Sequence, residues 1–165
     1  LPAPDTGEPL IARLARLGRE AGLEPVLVGT AELGTLGSSL PRVFDVEPAV
    51  GPLSGLAALL AHAGDAAVIA VGCDMPRVSR ALLGRLAHEA AGAVVLAPRD
   101  PATGKWQPLC ARYESTSVRP VLARALASGT RSFQALFREL SVVELALSDA
   151  ERGELQDWDT PEDVS

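Results

Sequence analysis

Residues 66–71 form an unbroken apolar run, AAVIAV, with no polar residue at alternate positions. A strand with one wetted face alternates between apolar and polar side chains. A continuous run instead belongs to a strand covered on both faces, which is the habit of α/β sheets. The run stops at Gly72-Cys73-Asp74-Met75-Pro76, so it delivers one carboxylate just past the end of the strand. In open α/β sheets ligands collect outside the carboxyl ends of the strands, which makes Asp74 a candidate metal ligand. Magnesium is ordinarily held by one or two carboxylates plus substrate phosphates. The competing reading has Asp74 capping the turn, Met75 in the core and Pro76 stopping the strand. The segment alone does not separate the two.

Helical periodicity alternates with such runs along the chain. Leu10, Leu14 and Leu17, between Pro9 and Gly22, predict a helix of about three turns. Pro25 to Val28 predicts a short strand, 29–39 a glycine-bearing loop, and Arg42 to Val46 a second strand. Gly51-Pro52 opens an apolar helix over Leu53 to Ala63. Ser79 caps a helix running to about Ala91, and Ala93 to Ala97 is another strand. Arg99 to Lys105 is rich in turn residues, and Gln107 to Tyr113 returns as a strand that pairs with, or neighbours, the preceding one. Helices over Ser117 to Ala127 and Ser132 to Leu140 precede a strand over Val142 to Leu147. Thr160-Pro161-Glu162-Asp163 supplies an N-cap, a proline at the first helical position and first-turn acids, so it begins a final helix. The alternation predicts a three-layer α/β sandwich with a mostly parallel, Rossmann-like sheet, built as one domain over residues 1–165.

The net charge of −6 argues against a nucleic-acid or membrane-surface binder, since both need a concentrated basic face. At 47% hydrophobic residues, 165 residues suffice for a sizeable core. Lys105 is the only lysine, so chemistry needing a lysine has a single candidate. Cys73 and Cys110 both lie in or beside apolar runs and make neither a disulfide framework nor a four-ligand zinc site. A reducing cytoplasm is the expected home. No apolar stretch reaches the roughly 20 residues of a spanning helix. Leu1 followed by Pro2, Ala3 and Pro4 is not how a translated chain begins, so upstream sequence is expected to be missing.

Four short pieces carry the visible chemistry. Asp45 follows a strand and precedes Gly51-Pro52-Leu53-Ser54-Gly55, a helix start whose free backbone N–H groups can meet a nucleotide; alone, that motif more often starts a packed helix. Cys73-Asp74-Met75-Pro76 is the second, with Cys73 expected to pack and not react, because no nearby lysine or histidine lowers its pKa. Gln107-Pro108-Leu109, entered from Arg99 and Lys105, can hold an anionic substrate or be a solvated turn. In Asp157-Trp158-Asp159 the two acids face the same way if the segment is extended, and so could meet one metal, whereas Glu162 and Asp163 complement the helix dipole. The P-loop, G-x-G-x-x-G and G-x-S-x-G signatures are absent, and His62 and His88 read as helix-surface residues.

Taken in order, these pieces resemble the molybdenum cofactor guanylyltransferase family. The similarity runs from GEPLIARLARLGREAGLEPVLVG through VFDVEPAVGPLSGLAALL, VIAVGCDMP and WQPLCARY to DWDTPEDV. It implies a nucleotidyltransferase-type fold and transfer of GMP from GTP to the terminal phosphate of molybdopterin-bound molybdenum cofactor, releasing pyrophosphate. Asp74 would hold Mg²⁺ against the nucleotide phosphates. Asp45, Gly51 and Pro52 would line the nucleotide pocket, with Thr30 where the family often carries an asparagine. Gln107 would face the cofactor, and Asp157 and Asp159 fall where the family commonly has asparagines near the pterin. Molybdoenzymes or cofactor-delivery proteins are the implied partners, with no nucleic acid and no membrane.

The family opens with a strand and a loop of the form Leu-x-Gly-Gly-x-Ser-x-Arg-Met-Gly, followed by a lysine, which together clamp the triphosphate. This chain begins just after that point, so residues 1–165 alone are expected to be inactive. Two alternatives stay open: a CTP-dependent cytidylyltransferase of the same cofactor, whose tail more often reads Asp-x-Asp-Thr-Pro as here, and a non-catalytic docking module on the same fold.

Overall fold

The computed structural model describes residues 8–29, 40–44 and 51–155. Thr30, Asp45, Asp157 and Asp159, and the predicted helix from Thr160, lie outside the described residues. The elements in chain order are α1 (Leu10–Glu20), β1 (Leu27–Val28), β2 (Arg42–Val43), α2 (Pro52–Ala63), β3 (Val68–Val71), α3 (Arg80–His88), β4 (Val95–Ala97), β5 (Cys110–Tyr113), α4 (Ser115–Ala127), α5 (Phe133–Phe137), β6 (Val142–Glu144) and α6 (Asp149–Glu154).

The continuous apolar runs do form strands covered on both faces. Val68, Val95, Ala97, Ala111 and Tyr113 point into a core shared with Leu53, Leu56 and Leu60 of α2, Leu122 of α4 and Leu136 and Phe137 of α5. Their alternates, Ile69, Val71, Leu96 and Cys110, point the other way, toward Leu17 of α1, Leu82, Leu83 and Leu86 of α3 and Leu155 after α6. This period of two across one sheet produces the three layers. Each fully buried leucine contributes about 1.5–3 kcal/mol, so the two cores dominate stability.

The main sheet has the order β3-β5-β4-β6. β4 and β6 are parallel, whereas β5 runs antiparallel to both β3 and β4. β3, β4 and β6 therefore all point the same way, and β5 alone is reversed in this sheet. Its register is fixed by Val68↔Tyr113 on one side and Val95↔Tyr113 on the other. β1 and β2 pair in parallel as a separate sheet. Among the described residues no strand covers the second edge of β3.

Several expected boundaries move, each for a local reason. Gln107 to Leu109 is not strand, because Tyr113 Oη and Cys110 N–H donate to the carbonyls of Pro108 and Gln107 and bend the chain there. α4 starts at Ser115 because the Glu114 carboxylate caps Thr116 and Ser117 N–H. α5 covers only Phe133–Phe137 of the helix expected over Ser132 to Leu140, because Arg138 and Glu139 N–H turn to the carbonyls three residues back, Ala135 and Leu136, and tighten the chain out of the helix. α3 stops at His88, short of Ala91: Ala90 takes a left-handed φ of 46° while Arg112 collects the helix's last carbonyls. α6, unforeseen, is set by a complete capping box between Ser148 and Glu151. Cys73 is exposed, correcting the expectation that it packs; Cys110 is buried. His62 and His88 are both exposed, as read.

Candidate active site

The carboxyl ends of β3, β4 and β6 meet the amino end of β5 along one edge of the main sheet. At that edge Gly72 N–H donates to Leu109 O at 2.9 Å, extending the β3–β5 ladder by one bond beyond the strand. Met75 N–H closes a turn onto Gly72 O at 3.4 Å. The turn sends Met75 and Val78 into the core and leaves Cys73 and Asp74 exposed. Both readings of Met75 and Pro76 in the sequence therefore coexist with an outward carboxylate. Among the described residues Asp74 forms no ion pair, and its Oδ1 lies back over Gly72, where an added Cβ would collide with it.

Three outside contacts hold the segment that follows Asp74. Arg13 Nη1 of α1 donates to Val78 O at 2.9 Å. Ser79 Oγ accepts Leu82 N–H at 3.1 Å and caps α3. Ser79 N–H donates to Glu154 Oε2 of α6 at 3.0 Å. Leu155, the last described residue, shares a core cluster with Met75 and Val78 at the base of this loop.

Beside the loop, a hairpin rises between β4 and β5. Arg99 and Trp106 bridge its stem, Gln107 N–H donates to Pro98 O at 3.0 Å, and Gly104, at φ +67°, makes the tip's left-handed turn. The Thr103 hydroxyl, then Ala102 N–H, hydrogen-bond the Asp100 carboxylate and hold it below the usual range. Arg99 Nε donates to Gly104 O at 2.7 Å while its guanidinium lies 5.2 Å from the Trp106 ring centroid. Gln107 is half-buried at the root of this hairpin and Lys105 is exposed.

The third contributor is the start of α2. Gly51 stands at φ 82°, a conformation that favours glycine, and Pro52 fills the first helical position. Four residues join α2 to β3 and the two pack together, so α2 runs back along the strand and its amino end faces the Asp74 edge. The positive end of the helix dipole is thus turned toward the same edge as the carboxylate. The fold brings Asp74, Gln107, Gly51 and Pro52 to one edge, whereas Thr30, Asp45, Asp157 and Asp159 lie outside the described residues.

Neither Cys110 nor Tyr113 is an activated nucleophile. Burial, and secondarily the Glu154 carboxylate, push the Cys110 thiol up to about 12. Burial also raises Tyr113, whose hydroxyl is spent on Pro108 O at 2.7 Å. What the arrangement can do is place a metal-bound anion over Asp74 and a second anionic group over the hairpin. Among the described residues no cluster of three or more His, Cys, Asp or Glu forms a metal cage. A lone outward carboxylate suits an ion such as Mg²⁺ that keeps its waters and shares substrate phosphates. Reading the sequence missed Glu154 and Gln134, which brace the two loops from helices far along the chain. Glu154 had a local signal in the capping box just ahead of it; Gln134 had none.

Comparison with known proteins shows the family to which this fold belongs. A family model for the MobA-like NTP transferase domain matches residues 2–144. The molybdenum cofactor guanylyltransferase of Xanthomonas euvesicatoria is 34% identical over 96% of this chain and 80% of its own length. A probable molybdenum cofactor guanylyltransferase of Opitutus terrae is 35% identical over 95% of this chain and 80% of its own. Among solved structures, molybdopterin-guanine dinucleotide biosynthesis protein A of Archaeoglobus fulgidus superposes with a TM-score of 0.77 at 26% identity, covering 96% of this chain and 83% of that one. The chain belongs to the MobA-like NTP transferase family, and its relatives at this level of identity are molybdenum cofactor guanylyltransferases.

Proposed function

We propose that this protein transfers GMP from GTP to the terminal phosphate of molybdenum cofactor, forming the guanine dinucleotide. A phosphate oxygen of the cofactor bonds to the α-phosphorus of GTP. The bond from that phosphorus to the β-phosphate's bridging oxygen breaks, and pyrophosphate leaves. The reaction needs positioning and charge neutralisation and no protein nucleophile, in keeping with the protonated Cys110 and the engaged Tyr113. The observation that carries the reading is the outward Asp74 at the end of β3 in a chain 34% identical to a guanylyltransferase along nearly its whole length.

In this reading Asp74 holds Mg²⁺, which when bound offsets the charge of the nucleotide phosphates and of the leaving pyrophosphate. Gly51 and Pro52, with Asp45 and Thr30, line the nucleotide side. Gln107, with Asp157 and Asp159, faces the cofactor. Among the described residues one edge of β3 is left uncovered, which suits one further strand, and we place there the strand and glycine-rich loop that would clamp the triphosphate. A reaction drawing on GTP belongs in the cytoplasm, with a molybdoenzyme or a delivery protein receiving the product. No described helix is long and apolar enough to cross a membrane.

The test is Mg²⁺-dependent dinucleotide synthesis with GTP and CTP in competition, on protein carrying its natural upstream residues, on residues 1–165, and on Asp74→Asn. Product from GTP in preference to CTP, made by the longer protein only and lost by at least about a hundredfold in Asp74→Asn with its melting temperature unchanged, is the expected result. Preference for CTP reassigns the base, and full activity in Asp74→Asn removes it from the metal site. Binding of neither nucleotide leaves the docking module.

A further inference from the structure

Gln134 of α5 pairs with the backbone of Trp106, 28 residues earlier. Its Oε1 accepts Trp106 N–H at 3.2 Å, and its Nε2 donates to Trp106 O at 2.8 Å. One carboxamide thus answers both backbone groups of one residue, as a neighbouring strand would, at the point where the hairpin extends past the sheet. The ring of Trp106 is held from the same side, 6.2 Å from Phe137 of α5. Trp106 precedes Gln107, whose N–H and C=O are tied to Pro98 O and Cys110 N–H. We propose that Gln134 is a positioning residue that fixes the 99–106 hairpin on α5 and so aims Gln107 at the molybdenum cofactor, setting affinity for that substrate and not for GTP.

The selectivity follows from where each loop is anchored. The segment after Asp74 has its own ties, from Arg13 to Val78 O and from Ser79 N–H to Glu154, and neither passes through α5. Releasing Trp106 therefore loosens the Gln107 side of the edge while the Asp74 side stays braced. The inference rests on the functional reading above, because it takes Gln107 as a cofactor contact.

The experiment compares Gln134→Leu, which keeps the volume and removes both hydrogen bonds, with the unsubstituted full-length protein. It reads KM for each substrate, kcat, melting temperature and amide exchange. The expected result is a KM for molybdenum cofactor raised about tenfold, the worth of one to two net hydrogen bonds, with KM for GTP and kcat within about twofold. Faster exchange should be confined to 98–109. Gln134→Glu keeps the acceptor for Trp106 N–H and should fall between. An unchanged KM for the cofactor despite faster exchange at 98–109 overturns the positioning role. Equal rises in both KM values with exchange raised throughout the protein show a purely structural residue and also overturn it. If the unsubstituted protein makes no dinucleotide, the functional reading itself fails and this inference fails with it.

Discussion

Replacing Arg112 with methionine should cost about 3 kcal/mol of folding stability, and the reason lies in the direction the strand gives this side chain. On β5, Ala111 and Tyr113 face the α2–α4 core, so Arg112 faces α3 and is 5% exposed. Its Nη1 donates to Leu86 O at 3.0 Å, Ala87 O at 3.3 Å and Glu89 O at 2.8 Å, and Nη2 donates to Ala90 O. A cation among the terminal carbonyls of a helix is well placed against the dipole. Charge-assisted hydrogen bonds are worth about 1.5–3 kcal/mol each, but three of the four acceptors share one nitrogen, so they count as roughly two bonds. Methionine avoids the desolvation of a buried guanidinium, which returns part of the loss, while the carbonyl of Leu86, itself fully buried, is left without that donor. The balance, about 3 kcal/mol out of a typical 5–15, corresponds to a melting temperature lower by roughly 10 °C. Urea unfolding gives the free energy, and amide exchange should show α3 opening from its carboxyl end. Arg112→Lys, keeping the charge with a smaller donor set, should lie between. A loss below about 1 kcal/mol for the methionine variant would refute the argument, by showing that water replaces the guanidinium at no net cost.

Two further outcomes are expected. The Arg85 guanidinium first, and Ser148 second, hold Glu151 at about 2, below its usual 4.5, so its contribution to docking α6 on α3 is complete above pH 4.5 and disappears as the pH falls toward 2; exchange at 149–154 should accelerate across that window, and protection that is flat there contradicts the assignment. Tyr113→Phe removes the bond to Pro108 O and should cost about 1–2 kcal/mol in urea unfolding while leaving kcat within about twofold, since that hydroxyl is structural.

The layers were legible because continuous apolar runs have one physical explanation. Residues 93–97 and 110–113 show it: within each, neighbours such as Val95 and Leu96 go to opposite cores, so no position could be polar without a partner, and Arg112, the exception, has four. Strand direction was not legible. Whether Gln107 to Tyr113 forms a hairpin with the preceding strand or merely neighbours it depends on pairing across the loop, and no periodicity within either segment encodes that. α6 was missed although Ser148 and Glu151 stand at capping-box spacing, because its six residues are too few to display an apolar stripe.

The same contrast separates the parts of the site. Asp74 was legible because what exposes it is local: the strand ends at Val71, Met75 and Val78 turn inward, and the acid between the strand and Met75 is left outward. Gln107 was legible as a residue type in a suggestive tripeptide, but its backbone is tied to Pro98 and Cys110 and its neighbour Trp106 to Gln134, contacts that exist only once β5 has reversed against β4 and α5 has packed against the hairpin. A motif read from sequence thus identifies the proposed ligand-contacting group more readily than the contacts that hold its segment. The segments that carry these groups are held by hydrogen bonds that span many residues, 28 for Gln134 to Trp106 and 75 for Ser79 to Glu154. It follows that substitutions at Gln134 and Glu154 should separate the two halves of the edge functionally, the first acting on the hairpin and the second on the loop after Asp74, even though both residues sit on helices with no chemistry of their own.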